Sequence, residues 1–325
     1  VYDPEATLKT LAEQPALILR SGHLQLVTRT VPSSTEGLQQ QVAELQAMLD
    51  RPLLVHAYDP VSDETLEWPV PKEVLSSWLR ADTTSGQLHV TIDESEFDDY
   101  LVSVEQELGE GRSFILPPVA YNLTDRWQSG DAYTVVIRHA PATYEVQSGD
   151  TLLKIAWQVG IPFWMILNAN PGMDMENIPA GSVINLPSKN DLLPLPVVLG
   201  KRLELSITDQ RLRVFENGGQ IRELVVSTGI DKSPTQPGVF QVQTHDIEAY
   251  ASVWDLTMPH FLGIYEAWPG FMNGFHGLPT LSNGTVLWGS ILGRPASFGC
   301  IILDLDDAEW LYDWAEDGVV VEITG

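Results

Sequence analysis

A single cysteine, Cys300, stands in 325 residues, so no intrachain disulfide can form and a cysteine-based zinc cluster is excluded. A lone thiol is then either a small buried apolar residue or a nucleophile. Cations are scarce as well: 18 lysines and arginines face 44 aspartates and glutamates, a formal net charge of −26. A surface this acidic repels phosphate backbones and anionic membrane leaflets, which argues against nucleic acid as a partner. No stretch of about 18 apolar residues occurs, and no charged segment followed by an apolar one opens the chain at Val1, so neither a membrane span nor a signal peptide is visible. A leader or anchor is expected to lie outside this sequence. What is present, 44% apolar and 19% charged residues, is enough to build packed cores, and the length predicts two or three domains.

Residues 1–142 read as an α+β region. Ser33 and Glu36 have capping-box spacing ahead of Leu38, Val42, Leu45 and Leu49, which predicts a helix over 34–50. Asp93 and Glu96 repeat that signal before Phe97, Leu101, Val104 and Leu108. Short strands are predicted at 53–58, 88–92 and 133–139. Its histidines, His23, His56, His89 and His139, share no metal-ligand spacing. Its carboxylates fall mostly on helix faces. The stretch from 35 to 140, chiefly Val90-Thr91-Ile92-Asp93 leading into the helix with Phe97 and Leu101, resembles the peptidoglycan-binding domains that precede some wall-active enzymes.

Residues 143–187 give a strand around Tyr144-Glu145-Val146, a Ser148-Gly149-Asp150-Thr151 turn, and a helix that Asp150 or Thr151 can cap. A second helix runs from 162 to 167, Asn168-Ala169-Asn170-Pro171 breaks it, and Ile178-Pro179-Ala180-Gly181 leads into a closing strand. This β-α-α-β order resembles the lysin motif (LysM) module. The resemblance implies binding of N-acetylglucosamine-containing glycan near Gly149, Asp150, Thr151, Asn170, Pro171 and Ile178, although the same residues also shape turns. A Pro-containing linker, 188–200, follows.

From 201 to 325 the pattern changes to short alternating runs: Leu203, Leu205 and Ile207, then Leu212 and Val214, then an Asn217-Gly218 hairpin signal before 221–227. Further strands are predicted at 238–243, near Val286-Leu287 and at 319–323, with one helix over 306–316. Cys300 follows a small residue in Ser297-Phe298-Gly299-Cys300-Ile301, where backbone can approach a carbonyl closely. His276 lies 24 residues upstream, far enough to return on a neighbouring strand and take a proton from the thiol. Spacing alone leaves open whether the two residues are a catalytic pair or packing residues.

The segment resembles an L,D-transpeptidase catalytic domain at Ser227-Thr228-Gly229, Thr235-Gln236-Pro237-Gly238, His276-Gly277, Leu292-Gly293-Arg294-Pro295, Ser297-Phe298-Gly299-Cys300 and the closing helix. The resemblance implies that Cys300 attacks the third residue's carbonyl in a peptidoglycan tetrapeptide stem, with His276 as base and thiolate partner. It also places Ser297, Gly299 and Gly277 in the catalytic loop machinery, with the amides of Gly299 and Cys300 facing the oxyanion. Phe298 stands where the family carries a histidine, and Ile302 where it carries a polar residue. Phe298, Arg294, His260, Tyr265, Trp268 and Trp288 are candidates to meet the substrate.

The expectation is therefore a multidomain α+β chain: an α+β amino-terminal region, a βααβ LysM module and a mainly-β catalytic domain. The implied activity is transpeptidation between stem peptides outside the membrane, in the cell wall or envelope, without metal or organic cofactor. The partners expected are stem peptides and N-acetylglucosamine-containing glycan. An L,D-carboxypeptidase that uses water, or an inactive wall-binding protein, are the alternatives.

Overall fold

The computed structural model describes residues 3–28, 35–82, 88–116, 121–286 and 289–325. Backbone contacts divide the chain into two compact units. One comprises Val1–Leu53, Val70–Asp93 and Asn122–Asp131. It holds the helices Pro4–Glu13, Pro15–Ser21, Thr35–Leu49, Lys72–Trp78 and Leu123–Ser129, with a two-stranded ribbon of Leu79–Asp82 and His89–Ile92. Asp3 starts the first helix by accepting the Ala6 amide at 2.9 Å, as an N-cap should. The helix expected over 34–50 is present as Thr35–Leu49; Ser33, its proposed cap, lies outside the described residues. Leu75, Trp78, Leu123 and Trp127 are buried.

The other unit comprises Leu54–Pro69, Glu94–Tyr121 and Ala132–Gly325. Its first part is a four-stranded sheet in the order Glu64–Pro69, Leu54–Asp59, Tyr133–His139, Arg112–Ile115. The alternating burial of Leu54–Asp59 and Tyr133–His139 follows the period-two pattern of their sequences. Asp59 is fully buried and is held by the His139 ring at 2.8 Å and the Val61 amide at 3.0 Å.

The β-α-α-β segment folds as expected. Strand Ala142–Glu145 pairs antiparallel with Val183–Leu186, and helices Leu152–Val159 and Phe163–Ala169 lie between them in sequence. Thr151 is the cap, taking the Lys154 amide at 3.2 Å. No single helix among the described residues is long and apolar enough to cross a membrane. The stretch 188–200 is packed rather than loose: it contains the short helix Lys189–Leu192, Leu192 and Leu193 are buried, and Gln241 bonds both the amide and the carbonyl of Leu195.

The remainder is built on two sheets. One has the order Gly219–Val225, Arg211–Glu216, Lys201–Ser206, Val320–Thr324, Gly238–Gln241. Its first hairpin turns at Asn217 and Gly218, with φ of 50° and 77°, the positive pair that a tight hairpin demands. The second has the order Thr244–Ala251, Leu256–Trp268, Phe271–Gly277, Ile301–Leu303. Helix Leu305–Trp314, capped by Asp304 and buried through Ala308 and Leu311, follows that last strand. Val286 makes only a bridge to Thr280, and Leu287 lies outside the described residues. Leu203, Leu212 and Phe240 of the first sheet, Leu262, Phe275 and Ile301 of the second, and Leu152, Ile155 and Ile166 of the βααβ module share one hydrophobic core. At roughly 25 cal/mol per Å² of apolar surface removed from water, burial of this kind is the main force fixing the module to the sheets.

Candidate active site

Strand Phe271–Gly277 runs parallel to Ile301–Leu303, with His276 opposite Ile302. That register brings the base candidate and the thiol candidate to adjacent strands, since Cys300 immediately precedes the second one. His276 and Cys300 line one small pocket. The imidazole is buried, and its Nδ1 lies 2.7 Å from the Gly277 carbonyl oxygen. A carbonyl can only accept, so Nδ1 carries the proton and Nε2 holds the lone pair of the neutral ring. Gly277 thereby fixes the tautomer that a general base requires.

Burial acts on both groups in the direction of neutrality. It pushes the Cys300 thiol up to about 11, against a smaller opposing effect from the Gly274 backbone. It pushes the His276 imidazole down to about 4, against the bond to Gly277. Both displacements favour the uncharged forms, because these backbone bonds do not offset the desolvation of either charge.

The loop before the thiol is held by a dense set of bonds. Ser297 Oγ donates to the Cys300 carbonyl at 2.6 Å and accepts the Gly299 amide at 3.1 Å. Thr235 Oγ1 donates to the Gly299 carbonyl and accepts the Gly229 amide, both at 2.9 Å. Ser233 Oγ donates to the Phe298 carbonyl at 2.9 Å. Gly299 has φ of 114°, and a Cβ there would stand 2.5 Å from Asn273 Nδ2, so only glycine fits without displacement. Ser297 and Gly299 are thus brought to the thiol, but the Gly299 amide is already engaged.

The substrate-facing candidates separate. The Phe298 ring is 45% exposed and stacks on Trp254 at 5.6 Å, with 8° between planes. It lines the pocket shared with Cys300 and also a second cleft, which Tyr265 lines too. Tyr265 is fully buried, and burial raises its phenol to about 12. Arg294 is exposed, lines neither cavity, and is tied into its loop through its own backbone. His260 packs against Tyr312 of the closing helix at 5.6 Å and lines neither cavity. Trp288 lies outside the described residues. Ile302 is buried and lines the Cys300 pocket, so its departure from a polar residue gives that pocket an apolar wall.

Sequence reasoning missed Asn273 and Trp254. Asn273 Oδ1 lies 3.6 Å from Cys300 Sγ, and its only signal was an amide within the otherwise apolar run Phe271-Met272-Asn273-Gly274-Phe275. Gln236, inside a matched motif, donates its amide to Tyr265 OH at 2.9 Å.

In the βααβ module, Asn170, Pro171 and Ile178 line an open groove. Asn170 also ties the groove together: Nδ2 donates to the Ile166 and Asn185 carbonyls, and Oδ1 accepts the Asn185 amide. Gly149, Asp150 and Thr151 lie outside that groove lining. Asp150 instead accepts from the Gln147 amide at 2.8 Å, from Tyr144 OH and from Lys154 Nζ, and these bonds hold its carboxyl below the usual range.

Comparison with known proteins finds two families along the chain. Residues 200–323 match the YkuD family, the L,D-transpeptidase catalytic domain, and residues 144–187 match the LysM domain. The chain is 24% identical to YkuD of Bacillus licheniformis over 185 residues, covering 56% of this chain and 98% of that protein. It is 27% identical to YciB of Bacillus subtilis over 120 residues, covering 34% of this chain and 59% of that protein. Both relatives are named for L,D-transpeptidase. The secreted LysM effector ELP2 of Colletotrichum higginsianum is 45% identical over 47 residues, 14% of this chain and 27% of that protein. Among solved structures, the L,D-transpeptidase (Yku) of Stackebrandtia nassauensis is 25% identical, with a TM-score of 0.32, covering 40% of this chain and 58% of that one. The chain carries an L,D-transpeptidase catalytic domain preceded by a LysM domain.

Proposed function

We propose that this cell-wall enzyme forms crosslinks between peptidoglycan stem peptides by acyl transfer through Cys300, with the LysM groove holding the glycan. The observation that carries the reading is that Cys300 lines one pocket with a neutral imidazole whose Nδ1 is pinned by Gly277, which leaves Nε2 as the ring's proton acceptor. In the first step His276 Nε2 takes the thiol proton as Sγ attacks the carbonyl of the third stem residue. The tetrahedral oxyanion meets the amide of Cys300, a contact worth roughly 2.7 to 4 kcal/mol in comparable sites. Collapse breaks the peptide bond, and the imidazolium gives its proton to the departing amine of D-alanine. The amine of a second stem then transfers a proton to His276, attacks the thioester and restores the thiol.

Neutral resting groups suit this sequence, because a proton moves within the pair only when a substrate carbonyl is there to receive the sulfur electrons. Ile302, Leu256 and Met258 give the pocket of the pair an apolar wall. Asn170, Pro171 and Ile178 supply polar and apolar edges suited to acetamido sugars, and tethering by LysM raises the local concentration of stems. The compartment this implies is outside the membrane, where the wall polymer lies.

Mass spectrometry of disaccharide tetrapeptides incubated with the protein and with Cys300→Ala tests the reading. Crosslinked dimer and released D-alanine, absent with the variant, are expected. Tripeptide without dimer would make water the acceptor and the enzyme a carboxypeptidase. Unchanged tetrapeptide in both samples would leave a wall-binding protein.

A further inference from the structure

Three large apolar side chains converge, though exposed, on a cleft beside the thiol: Leu153 at 63%, Phe298 at 45% and Trp268 at 44% exposure. Concentrated exposed apolar surface marks a binding site more often than chance. The cleft is lined from one side by Leu153, Pro162 and Phe163 of the LysM domain and from the other by catalytic-domain residues that include Asn273. Asn273 Oδ1 lies 3.6 Å from Cys300 Sγ, and Phe298 lines both this cleft and the pocket of the thiol, so the cleft borders the reaction centre.

The LysM wall is fixed in place. Trp164 Nε1 donates to the Glu266 carbonyl, and Gln236 Nε2 donates to the Ala156 carbonyl, both at 2.9 Å. Gly160 and Gly238 bring the two backbones together so closely that a Cβ on Gly238 would stand 2.5 Å from the Gly160 oxygen. A module hinged as a loose tether would have none of these contacts.

Acid–base symmetry assigns the cleft. The same imidazole protonates the departing amine and later deprotonates the entering one, so both amines occupy the pocket that His276 lines. The acyl chain attached to Cys300 then lies on the other side of the thiol. The geometry points to the cleft between LysM and the catalytic domain as the acyl-donor subsite, with Leu153 and Phe163 as specificity-determining residues. LysM is thereby part of the active site as well as a glycan holder. Among the described residues, no Asp, Glu, Lys, Arg or His lines the cleft, so the part of the donor stem it fits is the uncharged backbone and methylene portion, with the stem's ionised groups left to solvent. This assignment rests on the acyl-transfer reading of Cys300.

The test uses the full chain, a synthetic tetrapeptide stem without glycan as donor and hydroxylamine as thioester acceptor, with steady-state release of D-alanine as readout. Removing the glycan removes any contribution from tethering. Leu153→Asp and Phe163→Ala should raise the donor KM about tenfold with kcat within about threefold of wild type. Met175→Ala, an exposed LysM substitution outside the cleft, should change neither. Leu153 is exposed on its helix, so Leu153→Asp keeps the test valid if Phe163→Ala folds poorly. An unchanged KM in Leu153→Asp and in folded Phe163→Ala, with turnover still abolished by Cys300→Ala, overturns the LysM subsite and leaves the acyl-transfer reading standing. Absence of D-alanine release from the wild-type protein overturns the acyl-transfer reading itself, and the subsite with it.

Discussion

Cys300 Sγ lies 3.6 Å from Asn273 Oδ1, and the same carboxamide donates through Nδ2 to Tyr265 OH at 3.0 Å. The amide is therefore oriented from behind, with its acceptor turned to the thiol. Tyr265 is itself fixed by stacking on Phe240 at 4.4 Å and by the Gln236 amide. This buried chain presents a hydrogen-bond acceptor to the thiol.

Replacing that acceptor by an anion should hold the proton more tightly, since a like charge disfavours the thiolate. Asn273→Asp is expected to slow alkylation of Cys300 by iodoacetamide at pH 8 about tenfold, and to slow acyl transfer at least as much. Alkylation at the wild-type rate would show that the contact does not govern the thiol.

The pH dependence follows from the two displaced groups. His276, lowered to about 4, stays neutral well below the ordinary range for histidine, and Cys300, raised to about 11, stays protonated well above the ordinary range for cysteine. Acylation should be level across the neutral range, with its acid limb near pH 4 rather than near 6.5. Stability falls on both sides of neutrality, with opposite slopes in pH. The unfolded chain binds more protons than the native state between about 4 and 6.5, so the His276 contribution is lost as pH falls through that window. The native state holds the thiol proton that the unfolded chain releases between about 9 and 11, so the Cys300 contribution is lost as pH rises there. Denaturant midpoints measured from pH 4 to 10, with Cys300→Ala and His276→Ala as controls, check both limbs.

Phe298 separates the two cavities and stacks on Trp254, whose ring in turn meets Phe271 edge-on at 5.5 Å. A ring at this position is what the geometry uses, and an imidazole is also a flat ring. Phe298→His should keep stem turnover within about threefold. Phe298→Ala, which merges the cavities, should lower it about tenfold, mainly through KM. Loss of turnover in both variants would show that the phenyl ring itself is required.

Much of this architecture is legible in the amino-acid sequence. The Gly149 to Thr151 turn, the Asn217-Gly218 hairpin and the helix starting after Asp304 each have a local cause in side-chain capping or backbone conformation. The three strands spanning 244–277, which carry His276 and Asn273, have no such local cause. Thr244–Ala251 has no core face of its own, with every described residue half-buried or exposed. In Leu256–Trp268 the alternation is broken by Pro259 and by register shifts at Gly263/Tyr265 and Glu266/Trp268. Bulges reset the period-two signal on which strand recognition depends. Asn273 escapes sequence reasoning on similar grounds: its importance comes from a neighbour 27 residues away, which no local pattern encodes. His260 stands out in the sequence as a histidine beside Phe261, yet it packs on Tyr312 and does not line the thiol pocket.

Intact-protein mass spectrometry of the chain quenched during reaction with a tetrapeptide stem tests the central claim most directly. The account predicts an adduct equal to the stem less D-alanine, mapped to the peptide containing Cys300, lost in Cys300→Ala and formed far more slowly in His276→Ala. An adduct that persists in Cys300→Ala, or D-alanine release with no adduct on Cys300 at any quench time, would contradict it.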